Sequence, residues 1–259
     1  MKGVDYASID GNRRDFQAAK RAGITFAIAR AAYCYKGVSY PDGSVQDRDL
    51  AKLAGVTFGA YMILDWHVDP AVQVATFVRS YGARRPGELP PWLDLEADSA
   101  AAVGKTPAEC LAWAEAAYAA LAKVYGCVGV YTSSRVWSEV FGNLDSRDLG
   151  VAPLWLKVPY LYAARQPAHF DDNLLKGEGE VPTPWQASDS APVAIVQYQG
   201  DALSVPGFTS TVDLNLFSCK PSAWLTWHLG GKSITEFQVA KGLVADGIVG
   251  PATFAALTA

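Results

Sequence analysis

The sequence predicts an α/β fold in which about eight strands close into a barrel. Short β-branched and aromatic runs alternate with helix-like stretches along the first half of the chain. Repeated strand-then-helix units imply parallel strands, and eight is the number of strands that closes a small barrel. The chain has 259 residues, of which 50% are hydrophobic, so it can bury the core that such a barrel requires.

The strand-like runs fall into two groups on either side of Asn143. Those before it are separated by helix-like sequence and cover residues 3–6, 24–33, 57–64, 91–96 and 127–132. Those after it are joined by Pro- and Gly-rich loops and cover residues 154–158, 193–199 and 211–217. The second half of the barrel is therefore expected to have fewer helices than the first.

The helix-like stretches cover residues 13–22, 45–54, 70–81, 106–125 and 133–141. The fourth is strongly amphipathic and has the clearest start signal. Thr106 reads as an N-cap, Pro107 as a first-turn proline and Glu109 as the N3 acid of a capping box.

Composition and charge limit the partners and the chemistry. The net charge is −4 without a basic run, so nucleic acid is not an expected partner. No apolar run approaches the roughly 20 residues of a spanning helix, so membrane insertion is not expected. Scattered cysteines and histidines without metal-ligand spacing predict no metal and no cofactor. Strand-like sequence begins at Gly3 and leaves no room for a signal peptide, so we expect a protein made in a cytoplasm. We also expect it to be a monomer.

One predicted strand ends in two acids, Asp94 and Glu96, on either side of Leu95. In an extended chain residues i and i+2 share a face, so the two carboxylates should lie side by side above Trp92, with Cβ atoms ~6.6 Å apart. Two carboxylates at this short distance repel each other. The repulsion separates their pKa values and can keep one of them protonated near neutrality. The alternative is a solvated strand end, which the tripeptide alone favours.

Further acids stand at other strand ends. Asp5 ends the first run, Asp65 follows the third and Asp213 lies in the last. Reactive groups of a parallel barrel sit at the C-terminal ends of its strands, so these acids are expected to converge on one mouth. Asp65 reads instead as part of an ordinary loop and helix cap, because Asp69-Pro70 follows it.

Eight segments follow one another in the order of a known family's strand motifs: GVDYAS, FAIARAAY, GAYMILDW, PWLDLEAD, VGVYTSS, PLWLKVPY, VQYQG and VPGFTSTVDLNLF. Together they resemble the family 25 glycoside hydrolases, which are N-acetylmuramidase lysozymes. The resemblance implies an irregular, TIM-like β/α barrel of eight strands with fewer helices. It implies peptidoglycan glycan strands as the substrate, cut at the β-1,4 bond between N-acetylmuramic acid and N-acetylglucosamine.

The resemblance also implies roles for the acids. Glu96 matches the general acid and Asp94 its partner carboxylate, while Asp5 and Asp213 match flanking acids that orient water, substrate or Glu96. The chain departs from the family pattern at Met62, where histidine is frequent, and in the SIDGN loop, where a glutamine is common. These departures concern substrate contacts more than the chemistry.

Polar and aromatic residues at other strand ends are candidates for sugar binding. Tyr33, Tyr61, Tyr131 and Trp155 could stack on sugar rings, and Gln197 could hydrogen-bond to them. The alternative is that these aromatic residues pack the barrel.

The chain from Ser233 resembles the second half of a helical peptidoglycan-binding module, with the pattern FQ, KGL, DGIVGP, T and AL. We therefore divide the chain into a catalytic barrel (1–219), a linker (220–232) and a short helical C-terminal appendage (233–259). The appendage either targets the wall or caps the barrel, since so short a segment buries little apolar surface alone.

The leading hypothesis is a phage endolysin that degrades peptidoglycan once another protein opens the membrane. A chitinase-like hydrolase of N-acetylglucosamine polymers is one alternative, but residues 91–93 lack the acids of its D-x-x-D-x-D-x-E run. A non-catalytic wall-binding protein is the other, and the presence of all four mouth acids disfavours it. Asp94 two residues before Glu96 also resembles substrate-assisted hydrolases, which predicts retention of the anomeric configuration.

Overall fold

The structure is a computed structural model that describes most of the chain. The described residues are 1–8, 14–96, 104–150, 152–159, 165–168, 181–186, 193–217, 234–247, 252–253 and 256. Its strands are β1 (Lys2–Tyr6), β2 (Ile24–Tyr35), β3 (Val38–Pro41), β4 (Thr57–Ile63), β5 (Trp92–Asp94), β6 (Gly129–Thr132), β7 (Leu154–Lys157), β8 (Val193–Ala202) and β9 (Val212–Phe217). No helix among these residues is long and apolar enough to cross a membrane.

Among the described residues, five helices lie before Asn143 and three after it. They are α1 (Phe16–Arg21), α2 (Arg48–Leu53), α3 (Pro70–Tyr81), α4 (Pro107–Tyr125), α5 (Ser134–Phe141), α6 (Arg147–Gly150), α7 (Thr183–Gln186) and α8 (Ile234–Ala240), with a 3-10 turn at Gly43–Asp47. The predicted capping box of α4 is confirmed. The Thr106 hydroxyl accepts from the Glu109 N–H at 3.3 Å, and the Glu109 carboxylate accepts from the Thr106 N–H at 2.7 Å.

Eight strands close into a barrel, which confirms the predicted fold. The order is β1-β9-β8-β7-β6-β5-β4-β2, and pairing of β1 with β2 completes the ring. The ninth strand, β3, is an addition that the sequence analysis did not predict, and it pairs antiparallel with β2. Lys36 and Gly37 join the two strands with φ angles of 50° and 75°, the positive values that a tight two-residue hairpin turn requires.

The last barrel strand departs from the expectation of parallel strands. β9 runs antiparallel to both of its neighbours, β8 and β1. The connection from β8 to β9 covers only residues 203–211, whereas a parallel crossover needs a dozen residues or more. The start of β9 therefore lies at the same end of the barrel as the last residues of β1.

Side chains alternate between the barrel interior and the outer layer beneath the helices. On β5, Trp92 faces the interior cluster, whereas Leu93 and the following Leu95, just beyond the strand, join the outer one. Gly129 on β6 allows Trp92 to lie this close, because a Cβ at that position would be 2.3 Å from the indole ring. Aromatic side chains, Trp92 and Trp155 among them, belong to this interior cluster.

The C-terminal segment is organised around the buried Gln238 of the FQ motif. Its amide nitrogen donates to Asp246 Oδ1 at 2.8 Å and to Thr253 Oγ1 at 3.1 Å, and its oxygen accepts from the Gly247 N–H at 2.8 Å. The predicted linker, residues 220–232, lies outside the described residues. The division of the chain at that point stays a prediction.

Candidate active site

Four acids lie at the mouth of the barrel: three are on strands, and the fourth follows the end of one. Asp5 is near the end of β1, Asp94 ends β5 and Glu96 follows it, while Asp213 is the second residue of β9. Asp5 and Asp213 are direct cross-strand partners. The structure thus brings together the acids that the sequence analysis placed at one mouth. Asp213 reaches it from the beginning of an antiparallel strand.

Two side-chain amides bridge the acids on the β1, β8 and β9 side. Asp5 Oδ1 accepts from Asn215 Nδ2 at 2.7 Å and from Gln197 Nε2 at 3.0 Å. Gln197 Nε2 also donates to Asp213 Oδ2 at 3.1 Å. One amide group therefore holds two carboxylates together, and a second amide holds Asp5 in place.

Two aromatic donors fix the direction of these amides. The Tyr131 hydroxyl donates to Gln197 Oε1 at 2.8 Å, and Trp155 Nε1 donates to Asn215 Oδ1 at 2.8 Å. An indole N–H only donates, so it requires the oxygen of Asn215 and turns the NH₂ group towards Asp5. The aromatic residues of the barrel interior thereby orient the acids above them.

Burial and mutual repulsion keep protons on the cluster. Burial raises the pKa of Asp5 to about 6, against the lowering effect of its hydrogen bonds from Asn215 and Gln197. Burial also raises the pKa of Asp94 well above its ordinary value, and repulsion from Glu96 and Asp5 adds to the increase. The pKa of Asp213 is raised well above its ordinary value by burial and by the charge of Asp5. Such a cluster retains protons near neutral pH.

Glu96 lines a pocket at the mouth, whereas Asp94, two residues before it, is buried. Asp94 Oδ1 is buried and has no hydrogen-bond partner among the described residues. Glu96 is half-buried and lines a pocket of about 170 Å³ with Tyr131, Ser133 and Lys157. An acid that lines a pocket, with a buried carboxylate two residues before it, is an arrangement suited to general acid–base chemistry on a bound ligand.

Comparison with known proteins identifies the family. The family model described as glycosyl hydrolases family 25 matches residues 4–194, which is more than half of the chain. The chain belongs to family 25 of the glycosyl hydrolases. No curated protein sequence matches it.

Solved structures share the fold at low identity. The bacterial lysozyme from Streptomyces coelicolor is 20% identical with a TM-score of 0.68, and the match covers 90% of this chain and 98% of that one. The muramidase from Acremonium alcalophilum is 20% identical with a TM-score of 0.68, and the match covers 89% of this chain and 99% of that one. The catalytic domain of endolysin ply40 from bacteriophage P40 of Listeria monocytogenes is 16% identical with a TM-score of 0.56, and the match covers 90% of this chain and 98% of that one.

The predicted sugar-binding residues of this family 25 hydrolase take mostly internal positions. Tyr61, Tyr131 and Trp155 belong to the interior aromatic cluster, and Trp155 is only 1% exposed. Trp155 therefore cannot offer a ring face to a sugar, and the packing alternative describes it. Tyr33 is half-buried and stacks on Tyr40, with ring centroids 5.7 Å apart.

Gln197 and Asp65 make hydrogen bonds within the protein. Gln197 is 2% exposed and bridges the acids, in contrast to the sugar contact proposed from the sequence. Asp65 Oδ1 accepts from the His67 N–H at 2.7 Å in the loop before α3. This contact agrees with the interpretation of Asp65 as a loop residue.

Sequence reasoning missed three polar residues at the mouth of this family 25 barrel: Arg30, Lys157 and Asn215. Arg30 is buried and donates through Nε to Asp42 Oδ2 at 2.9 Å. The charges of Lys157 and Arg30 act to lower the pKa of Asp94, against the larger effects of burial. Each of the three lies two positions from an interior or site residue on the same strand. Residues at i and i+2 share a face of a strand, so this spacing could have placed them at the site.

Proposed function

We propose that this chain is an N-acetylmuramidase, a lysozyme that hydrolyses the β-1,4 bond between N-acetylmuramic acid and N-acetylglucosamine in peptidoglycan. The observation that carries the proposal is the pairing of Glu96, in the pocket, with Asp94, whose buried Oδ1 has no hydrogen-bond partner within the part of the chain that the structure describes. Family membership and the fold shared with lysozymes and muramidases support it.

In this proposal Glu96 protonates the leaving oxygen and then activates water. No described residue donates to Asp94 Oδ1, and a sugar 2-acetamido N–H would supply that donor, so Asp94 would orient the acetamido group while the carbonyl oxygen of that group attacks the anomeric carbon. Charge developing on the acetamido nitrogen favours ionisation of Asp94, as do the cations Lys157 and Arg30. Asp5 and Asp213, tied together through Gln197, would position substrate or water from the opposite side.

The biological setting proposed is that of a monomeric phage endolysin. It would be made in the host cytoplasm and would reach the wall after another protein opens the membrane. The fold shared with endolysin ply40 supports this setting. Cells that express the chain should lyse only after the membrane is permeabilised, and lysis without permeabilisation would contradict the proposal.

The activity is tested on purified peptidoglycan. Turbidity should fall, and mass spectrometry of the products should show N-acetylmuramic acid at the new reducing ends. Glu96→Gln should lower the rate by at least about 10²- to 10⁴-fold, the usual contribution of general acid catalysis. Reducing-end N-acetylglucosamine, or a variant that retains a tenth of wild-type turnover, would contradict the proposal.

A further inference from the structure

A groove leads away from Glu96 between the start of α5 and the end of β7. The pocket beside Glu96 and this larger groove share Ser133, Arg135 and Lys157, so they are continuous. The groove has a volume of about 610 Å³, within the range of ligand-binding sites. We call it the cationic groove, and its lining includes Ser133, Arg135 and Ser138 on one side and Lys157, Val158 and Pro159 on the other.

The charge of the groove is opposite to that of the chain. The protein has a net charge of −4 and collects acids at the mouth, yet the described lining of the groove contains two cations and no acid. Serine hydroxyls also line the groove, and they can donate hydrogen bonds to an anion. This lining fits an anionic ligand better than a neutral sugar.

Arg135 is an exposed cation of the groove. Its Nε donates to Glu139 Oε1 at 2.9 Å, but the two side chains are 80% and 50% exposed. Exposed pairs of this kind typically contribute less than about 1 kcal/mol. The planar guanidinium also matches a carboxylate with two parallel hydrogen bonds.

We propose that the cationic groove binds the carboxylates of the peptide stem on the muramic acid unit next to the cleaved bond. This inference rests on the proposed muramidase function. β7 lies two strand spacings from β5, about 10 Å, and the first two or three residues of an extended peptide span a similar distance. A stem that starts on the sugar beside Glu96 can therefore place its carboxylates between Arg135 and Lys157.

The test adds a negative charge to the groove without touching the acids. Ser138→Glu is compared with the neutral Ser138→Gln, because Ser138 is exposed and lies on the groove wall. The substrates are phosphate-free glycan strands with intact stems and the same strands after amidase removal of the stems. Ser138→Glu should raise KM on stem-bearing strands by about 3- to 10-fold at low salt, with little change in kcat, and the effect should shrink at high salt.

The controls separate this inference from the proposed function. Ser138→Gln should raise KM on stem-bearing strands by less than Ser138→Glu does, since it adds no charge, and Arg135→Gln should also raise it, whereas Arg79→Gln on α3 should match wild type. An equal penalty on amidase-treated strands would assign the groove to the sugar's own lactyl carboxylate and overturn the stem proposal. Equal KM values for all variants on both substrates would also overturn it. Failure of the wild type to cleave either substrate would instead reject the muramidase function.

Discussion

Removal of the Asn215 amide should move the pH dependence of activity. Asn215 donates to Asp5 Oδ1 at 2.7 Å, and it gives the largest of the effects that lower the pKa of Asp5 from the value that burial would set. In Asn215→Ala the burial of Asp5 and the repulsion from Glu96 persist while this donor is lost. The pKa of Asp5 should therefore rise above its present value of about 6.

The size of the shift follows from the hydrogen bond. A bond to a charged group contributes about 1.5–3 kcal/mol, and one pKa unit corresponds to about 1.4 kcal/mol, so the shift should be about one to two units. If ionised Asp5 is required to position substrate or water, the acidic limb of kcat/KM should move to higher pH by the same amount. Activity should therefore fall most at mildly acidic pH and recover in part as the pH rises.

The assay is the pH profile of kcat/KM on soluble glycan strands, because this quantity reports the ionisation of the free enzyme. Trp155→Phe is the comparison variant. It keeps Asn215 but removes the indole N–H that orients it, so it should shift the limb in the same direction by less. A thermal melt checks folding of both variants. An acidic limb that stays in place while the maximal rate falls would refute the role assigned to Asn215.

Three further predictions concern stability and wall binding. Asp5→Asn should lower activity but raise the free energy of unfolding at pH 7 by up to about 3 kcal/mol. The pKa of Asp5 is about 6 in the folded protein against an ordinary value of 3.8, so Asp5 stabilises the fold below pH 4 and loses that contribution as the pH rises through 6. Urea unfolding would contradict this if the variant gained the same free energy of unfolding at pH 4 and at pH 7. Glu88→Gln should lower the free energy of unfolding by about 3–5 kcal/mol, because it breaks the buried Arg48–Glu88 ion pair. Glu88 also accepts a hydrogen bond from the Tyr81 hydroxyl at 3.0 Å. A melting temperature within two degrees of wild type would contradict this prediction. Deletion of residues 233–259 should spare cleavage of soluble chains and weaken binding to whole sacculi, and equal loss on both substrates would indicate a structural cap.

The barrel could be predicted because its signals are local. The eight strand-like runs and the Thr106 capping box depend on residues close together in sequence, and the structure confirms both. The β3 hairpin was missed because Lys36-Gly37 was not recognised as a turn with two positive φ angles. The direction of β9 was also missed, although the short connection from β8 excludes a parallel crossover.

The orientation of the site could not be predicted because it depends on distant pairs. Gln197 and Asp5 are 192 positions apart, and Asn215 and Asp5 are 210 apart. The i+2 rule places Trp155 on the interior face but does not show whether its ring meets a sugar or an amide. That choice depends on β9, which puts Asn215 within reach of the indole N–H.

The stereochemistry of the first product tests the account most directly. The proposed roles of Asp94 and Glu96 require two inversions at the anomeric carbon. The acetamido oxygen displaces the leaving group from the opposite face, and water then displaces the acetamido oxygen from the face that the leaving group vacated, so the anomeric configuration is retained. Proton NMR of the hydrolysate, recorded before mutarotation, should show the β-anomer first, and Asp94→Asn should slow its release without trapping a covalent enzyme. An initial α-anomer would contradict the account, because it would make Asp94 or Asp5 the base that activates water in an inverting reaction.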